Sequence, residues 1–261
     1  MFSMLTGSAY LALNDPDNAV AYFKKALGEK AAYVAALKEN NEYRYLYGGA
    51  LGQYSKGGGN IDSLKDIANF YILSGYERIA NADLALNNLR EAKTYIDSAI
   101  SVGEQGKFMG MEIIYTTRGR YELLMQQPQV AMQDFGRAMS LNDKFPEPYT
   151  LHAQALLLFL QPPGSKSISV VFNIANPGFM LNSQDLIAYA SSKTQPDSAF
   201  LHTAITDCDQ ALKIAPTLDN AFIVRGYVRA LLHKQGYCDD FGKAKLLGSS
   251  IAPEFEAKFC R

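Results

Sequence analysis

The chain has 261 residues, 48% of them hydrophobic, and a formal net charge of −1. So small a charge argues against a nucleic-acid partner that is bound through bulk electrostatics. No apolar run approaches the length of a membrane-spanning helix, and the start from Met1 to Leu5 lacks the basic region of a signal peptide. The length suits one large domain or an array of repeats with a continuous core.

Residues 1–30 are predicted to form a helical hairpin. The first helix is apolar and carries a glycine, and the second has apolar residues at spacings of four and three, which place them on one helical face. The segment from Asn14 to Pro16 separates the two helices, and proline is well suited to the first position of a helix. The residues that mark this hairpin are Gly7, Tyr10, Ala19, Phe23 and Ala26.

Residues 31–105 are predicted to be helical, with a degenerate repeat. Ala92, Ile96 and Ala99 keep the four-then-three spacing, whereas the number and the register of the earlier repeats stay open. The segment from Lys56 to Asn60 is a glycine-rich loop that lacks the residue order of a phosphate-binding loop. Nucleotide binding is therefore not expected there.

Residues 106–145 contain the clearest hairpin. Tyr115 and Gly119 lie four apart on one helical face, and the segment from Gln126 to Pro128 makes a polar break before the next helix. This glycine precedes the first alanine of the second helix by twelve residues, as in the first hairpin. The recurrence of one register indicates a repeat protein. The second helix is marked by Ala131, Phe135 and Ala138.

Residues 146–216 repeat this pattern, but an insert divides it. Tyr149 and Ala153 follow the corresponding residues of the previous hairpin by 34 positions. The matching second helix begins only after an insert that spans 161–197. We therefore expect the two helices of this hairpin to pair across the insert. The second helix is marked by Ala204, Cys208 and Ala211.

The insert has a composition of its own. It contains an apolar, β-prone run from Ile168 to Ile174, a turn from Asn176 to Gly178 and a weak helix predicted over 183–192. Loops of this length inside compact domains are usually functional or disordered, and the apolar content argues against simple disorder. We therefore expect partner contacts from the insert. The candidate residues are Val171, Phe172, Phe179 and Met180.

Residues 217–261 are predicted to form the last repeat and a C-terminal helix that caps the apolar end of the array. Cys238 and Cys260 flank this last hairpin and leave two alternatives open, namely free half-buried thiols or a disulfide. A disulfide would contribute about 3 kcal/mol in an oxidising compartment. The repeat is marked by Phe222, Gly226, Phe241 and Ala244.

A 34-residue helix–turn–helix unit with these aromatic and small positions resembles the tetratricopeptide repeat, of the bacterial type. The resemblance implies an all-α fold: a single helix–turn–helix solenoid (TPR-like α-α superhelix) over 1–261 with one long non-helical insert. The chain departs from the family at the degenerate 31–105 region, at the insert and at Cys208, which stands at an aromatic position. The marking residues are expected to be structural, because small side chains let paired helices approach closely.

The resemblance also implies a binding surface, since the first helix of each hairpin lines the concave side of such arrays. Side chains there could hold an extended peptide or a partner helix. The alternative is an ordinary solvated helix face. The candidate groove residues are Thr116, Arg120, Leu123, Thr150, Gln154, Leu157, Ile223 and Tyr227.

The sequence favours a non-enzymatic protein–protein interaction scaffold that binds a peptide or partner protein, within a larger assembly, through the groove, the insert or both. The histidines His152, His202 and His233 are isolated, and no catalytic or metal-binding spacing occurs, so neither a cofactor nor a metal is expected. The alternative is a solenoid of the bacterial cell envelope that binds a glycan or another small molecule. A periplasmic or cell-envelope location is favoured over a cytoplasmic one, because the sequence around Cys238 resembles the terminal unit of exported bacterial repeat proteins.

Overall fold

The computed structural model describes residues 2–32, 35, 64–106, 110–160, 168–172, 178–190 and 198–260. The predicted loop at 56–60 lies outside this set, and so does the insert apart from 168–172 and 178–190. The described residues are helical except for turns, connecting segments and an isolated β-bridge, which confirms the predicted all-α repeat fold. No described helix combines enough length with enough apolar character to span a bilayer.

The first compact unit, Met1–Tyr121, contains described helices that pack on one another in pairs. Their bounds are α1 Phe2–Ala12, α2 Pro16–Gly28, α3 Leu64–Ala85, α4 Leu89–Gly106 and α5 Met111–Leu124. The first unit ends inside α5, at Tyr121. α1 packs on α2, α2 packs on α3, and α3 packs on α4. One buried cluster joins Ala19 and Phe23 of α2 to Ile79 of α3.

The hairpin turns share one backbone conformation. Asn14, Asn87, Gln126 and His233 each have a positive φ between 53° and 58°. In each turn the N–H of the next residue donates to the carbonyl five residues earlier, at 2.8–2.9 Å. This is the hydrogen bond that closes a helix C-terminus in the Schellman motif. The chain therefore leaves the first helix of these hairpins in the same way each time.

At two positions of the repeat a glycine is needed because a phenylalanine ring lies against its backbone. A Cβ atom added to Gly7 would lie 2.6 Å from the ring of Phe23, and one added to Gly226 would lie 2.8 Å from the ring of Phe241. Real Cβ atoms essentially never approach within 3.0 Å of another heavy atom. The glycine and phenylalanine positions that mark the repeat in the sequence are thus contact partners in both compact units.

The second compact unit, Glu122–Arg261, continues the same arrangement. Its helices are α6 Pro128–Leu141, α7 Glu147–Phe159, α8 Ser183–Ala190, α9 Ser198–Ile214, α10 Asp219–Leu231, α11 Tyr237–Leu246 and α12 Ala252–Phe259. α7 packs on both α6 and α9, and α10 packs on both α9 and α11. The hairpin that the insert interrupts is therefore closed by α7 and α9. α12 packs on α10 and α11.

The described part of the insert is a short extended pair followed by α8. Val170 and Leu181 form an antiparallel bridge, in which the N–H of Val171 donates to the carbonyl of Met180 at 2.8 Å. α8 begins just after Asn182, whose side chain accepts from the N–H of Asp185 at 3.0 Å. The insert thus has secondary structure of its own, with its helix inside the predicted 183–192 segment.

Candidate functional site

In the second unit the insert lies against Gln154, which is fully buried on α7. The Nε2 atom of Gln154 donates to the carbonyl of Gly178 at 2.7 Å, and its Oε1 atom accepts from the N–H of Met180 at 2.8 Å. Nε2 also lies 3.3 Å from the carbonyl of Thr150 on its own helix. One amide side chain therefore pairs with the backbone of the extended segment at two residues, as a neighbouring β-strand would.

Gly178 is enclosed where it meets the helices. A Cβ atom added to Gly178 would lie 2.9 Å from Nδ2 of Asn220, on the first turn of α10, and 3.8 Å from Oε1 of Glu147, on the first turn of α7. Asn220 is itself buried, so its short side chain has little room to move away. The site at this residue fits a glycine, and a Cβ atom there would require the side chain of Asn220 to shift.

Tyr227 of α10 holds the helical part of the insert. Its Oη atom donates to the carbonyl of Leu186 on α8 at 2.8 Å. Burial raises the pKa of Tyr227, so the hydroxyl stays protonated and keeps its donor. The ring packs edge-on against Phe255 and Phe259 of α12, with centroids 5.9 and 6.1 Å away. We call Gln154, Asn220 and Tyr227 the insert-binding face.

The C-terminal helix α12 contacts the insert from another direction. Oε2 of Glu254 accepts from the hydroxyl of Ser183 at 2.8 Å and from the side-chain amide of Gln184 at 2.9 Å. Glu256, also on α12, pairs with Lys245 of α11 at 2.7 Å. α12 therefore links the insert helix to the last hairpin.

Residues 4–33, which cover most of α1, all of α2 and the turn between them, match the family model of the tetratricopeptide repeat. This stretch contains the left-handed turn at Asn14 and the contact between Gly7 and Phe23, and the same features recur in the last hairpin. Residues 4–33 therefore contain a tetratricopeptide repeat.

No curated protein matches this chain, but solved structures do. YrrB, described as a TPR protein with an unusual peptide-binding site, is 14% identical, with 98% of this chain and 90% of that chain covered and a TM-score of 0.46. The MamA RS-1 ArsTM double mutant is 11% identical, with coverages of 94% and 92% and a TM-score of 0.45. The TPR2AB domain of yeast Sti1 in complex with pHSP90 is 13% identical, with coverages of 98% and 93% and a TM-score of 0.36.

The eight predicted groove residues are all buried. None is more than 4% exposed, whereas an open surface was expected. For Gln154 and Tyr227 the cover is the insert, which hydrogen-bonds to both. The eight are Thr116, Arg120, Leu123, Thr150, Gln154, Leu157, Ile223 and Tyr227.

Arg120 was predicted to be the strong cation of an open groove, and in the structure its side chain is buried. It is 4% exposed, and its Nη1 atom donates to Oδ1 of Asn81 on α3 at 3.3 Å. Thr116, one turn earlier on α5, donates its hydroxyl to the carbonyl of Glu112 at 2.6 Å. Both side chains thus make hydrogen bonds within the first compact unit.

The four predicted insert residues have different surroundings. Phe172, Phe179 and Met180 are buried, with exposures of 8% or less, while Val171 is 52% exposed. Val171 and Phe172 are neighbours in an extended backbone, where successive side chains point to opposite sides, whereas Phe179 and Met180 are both covered. The apolar residues of the insert therefore contribute mainly to its own attachment.

Sequence analysis missed three residues of the site. Gly178 was interpreted only as part of a turn, Asn220 only as the start of a repeat, and Glu254 received no role. A polar residue in the first turn of a helix is ordinarily explained by capping, so Asn220 gave no separate signal. Their partners lie 24–71 positions away in the chain, which is beyond the reach of any local pattern.

The histidine that sequence analysis treated as isolated has a partner. Nδ1 of His152 on α7 lies 2.7 Å from Oδ2 of Asp207 on α9, so the pair bridges the hairpin that the insert interrupts. Cys208 beside it is fully buried, and burial raises the pKa of its thiol well above the usual value. The described residues contain no group of three or more side chains suited to hold a metal ion.

The structure joins Cys238, at the start of α11, to Cys260, at the end of α12, in a disulfide with sulfur atoms 2.10 Å apart. Of the two alternatives that the sequence left open, this arrangement corresponds to the disulfide. The bond closes a sequence separation of 22 residues and ties the far end of α12 to the last hairpin.

Reduction of this disulfide is expected to lower the free energy of unfolding by about 3 kcal/mol, because the unfolded chain regains the loop entropy that the bond removes. Urea denaturation, followed by far-UV circular dichroism with and without dithiothreitol, measures the loss. A Cys260→Ser variant is the control and should match the reduced protein under both conditions. Equal stability of the oxidised and reduced wild-type protein would contradict the prediction.

Proposed function

We propose that this protein is a non-enzymatic scaffold for protein–protein interaction, and that the insert-binding face is its peptide-binding surface. The observation that carries the proposal is the pair of hydrogen bonds from Gln154 to the backbone of Gly178 and Met180. A surface that holds an extended segment of its own chain by the backbone has the chemistry to hold an extended segment of a partner.

The bound segment combines two kinds of contact that suit peptide recognition. The amide of Gln154 satisfies one backbone acceptor and one backbone donor, and these bonds do not depend on the side chains of the bound peptide. Phe179, Met180 and Leu181 are buried and supply apolar contact area. In peptide recognition of this kind, main-chain bonds give affinity and side-chain pockets give specificity.

In this arrangement the insert is the resident ligand. A tethered segment competes at an effective concentration on the order of millimolar, so a free peptide of equal intrinsic affinity displaces little of it. A partner therefore has to bind more tightly or meet a protein whose insert has already been released. The proposed scaffold is thus closed at this face until the insert leaves.

A test converts the insert into a separable peptide after the whole chain has folded. One protease recognition sequence is placed within 161–167 and another within 191–197. After cleavage and gel filtration, a fluorescently labelled peptide of residues 168–190 is expected to bind with a saturable change in anisotropy. A cleaved protein that has lost its insert, keeps its helical circular dichroism and binds no labelled peptide would refute the proposal.

Replacement of Gln154 by alanine is expected to lower the affinity for this peptide by about tenfold to a hundredfold. The reason is the loss of two hydrogen bonds to the peptide backbone, each of which contributes roughly 0.5–1.5 kcal/mol. The same anisotropy titration measures the change. Gln133→Ala is the matched control, since Gln133 is exposed on α6 of the same unit, and it should leave the affinity unchanged. If the two variants bind the peptide with equal affinity, Gln154 is not part of the binding surface.

A further inference from the structure

The further inference concerns which peptides the insert-binding face accepts, and it rests on the proposed function. Gly178 is the residue whose carbonyl Gln154 binds, and it is also a residue at which an added Cβ atom would be crowded. The added Cβ atom would lie 2.9 Å from Nδ2 of Asn220, closer than real Cβ contacts allow. Backbone recognition and steric exclusion thus coincide at one position.

The glycine is needed for space and not for backbone conformation. The glycines with a positive φ among the described residues are Gly110, Gly236 and Gly248, and Gly178 is not one of them. Any L-residue could therefore adopt the backbone of Gly178 in the absence of a neighbour. What excludes a larger residue is the buried side chain of Asn220.

Three large apolar side chains follow the glycine, and all are covered. Phe179, Met180 and Leu181 are 8%, 1% and 3% exposed. The N–H of Met180 is bound by Gln154, while the carbonyl of Met180 is bound by the N–H of Val171 in the paired strand of the insert. The backbone of the segment is thus bound at Gly178 and Met180, and the side chains from Phe179 to Leu181 are buried.

We propose that the insert-binding face selects partner segments that are extended and carry a glycine followed by three large apolar residues. Asn220 is the residue that determines specificity for glycine, and Gln154 fixes the register by binding the carbonyl of the glycine and the N–H two residues later. The partner is therefore a protein with an accessible segment of this composition, which resembles residues 178–181 of the chain itself.

The test uses the cleaved protein described above with labelled 168–190 peptides that differ at one residue. Relative to the wild-type peptide, Gly178→Ala is expected to bind about fivefold more weakly and Gly178→Leu about a hundredfold more weakly, as in overpacked sites. Val171→Ala is the matched control, because Val171 is 52% exposed, and this peptide should bind like the wild-type peptide.

A second variant separates steric selection from a general weakness of the altered peptides. When the cleaved protein carries Asn220→Ala, the Nδ2 atom that crowds Gly178 is absent, so the Gly178→Ala peptide should recover the affinity of the glycine peptide. Equal binding of the glycine, alanine and leucine peptides to the unaltered face would overturn this inference and leave the proposed function intact. Failure of every peptide, the wild-type one included, would overturn the proposed function and this inference with it.

Discussion

Phe241→Ala is expected to lower the free energy of unfolding of the second unit by about 3–5 kcal/mol, because it removes a fully buried ring and leaves a cavity. The ring of Phe241 lies between the last hairpin and the C-terminal helix, with centroid distances of 5.5 Å to Phe255 and 5.9 Å to Phe259. Gly226 lies against it on the other helix of the hairpin. The residue thus joins α10, α11 and α12.

Urea denaturation followed by far-UV circular dichroism is the suitable measurement, since the chain has no tryptophan to report by fluorescence. Phe200→Ala is the matched control. Phe200 is 37% exposed, and its ring contacts that of Phe159 edge-on with the centroids 5.4 Å apart. Phe200→Ala should therefore lower the free energy of unfolding by about 1 kcal/mol. Comparable losses in the two variants would mean that Phe241 does not hold the C-terminal helix in place.

Asp240→Ala is expected to destabilise the second unit by about 3–4 kcal/mol, because it leaves two partly buried guanidinium groups without their common carboxylate. Asp240 is 2% exposed and accepts from Nη2 of Arg225 at 2.6 Å, from Nε of Arg225 at 3.1 Å and from Nη1 of Arg229 at 2.7 Å. Burial lowers the pKa of Arg225, but its hydrogen bonds to Asp240 and Asp209 outweigh this and leave the pKa raised.

Asp209 provides a control within the same network. It pairs with Arg225 at 2.6 Å but its side chain is 50% exposed, so Asp209→Ala should cost less than about 1 kcal/mol. Added salt should reduce the small effect of Asp209→Ala more than the large effect of Asp240→Ala, because buried charges are screened less. A loss below 1 kcal/mol for Asp240→Ala in urea denaturation would contradict this account of the network.

The periodic features of this protein were predictable from its sequence. The repeated glycine, alanine and phenylalanine positions arise because two paired helices need a small residue wherever a large one faces them, and a helix repeats its faces every three to four residues. Gly7 with Phe23 and Gly226 with Phe241 are contacts of this kind. Counting the same period also predicted that an insert separates α7 from its partner helix, and α7 and α9 do pack together.

The position of the insert was decided only by the tertiary structure. Gln154 and Tyr227 were predicted to line an open groove because the family resemblance implies that the first helix of each hairpin lines the concave side. They are buried because the insert folds back onto them, through bonds that join Gln154 to Gly178, 24 positions away, and Tyr227 to Leu186, 41 positions away. Such contacts depend on where a loop returns in space. A period of three to four residues therefore predicts the helices and the faces they present, whereas the cover over one of those faces follows only from the folded chain.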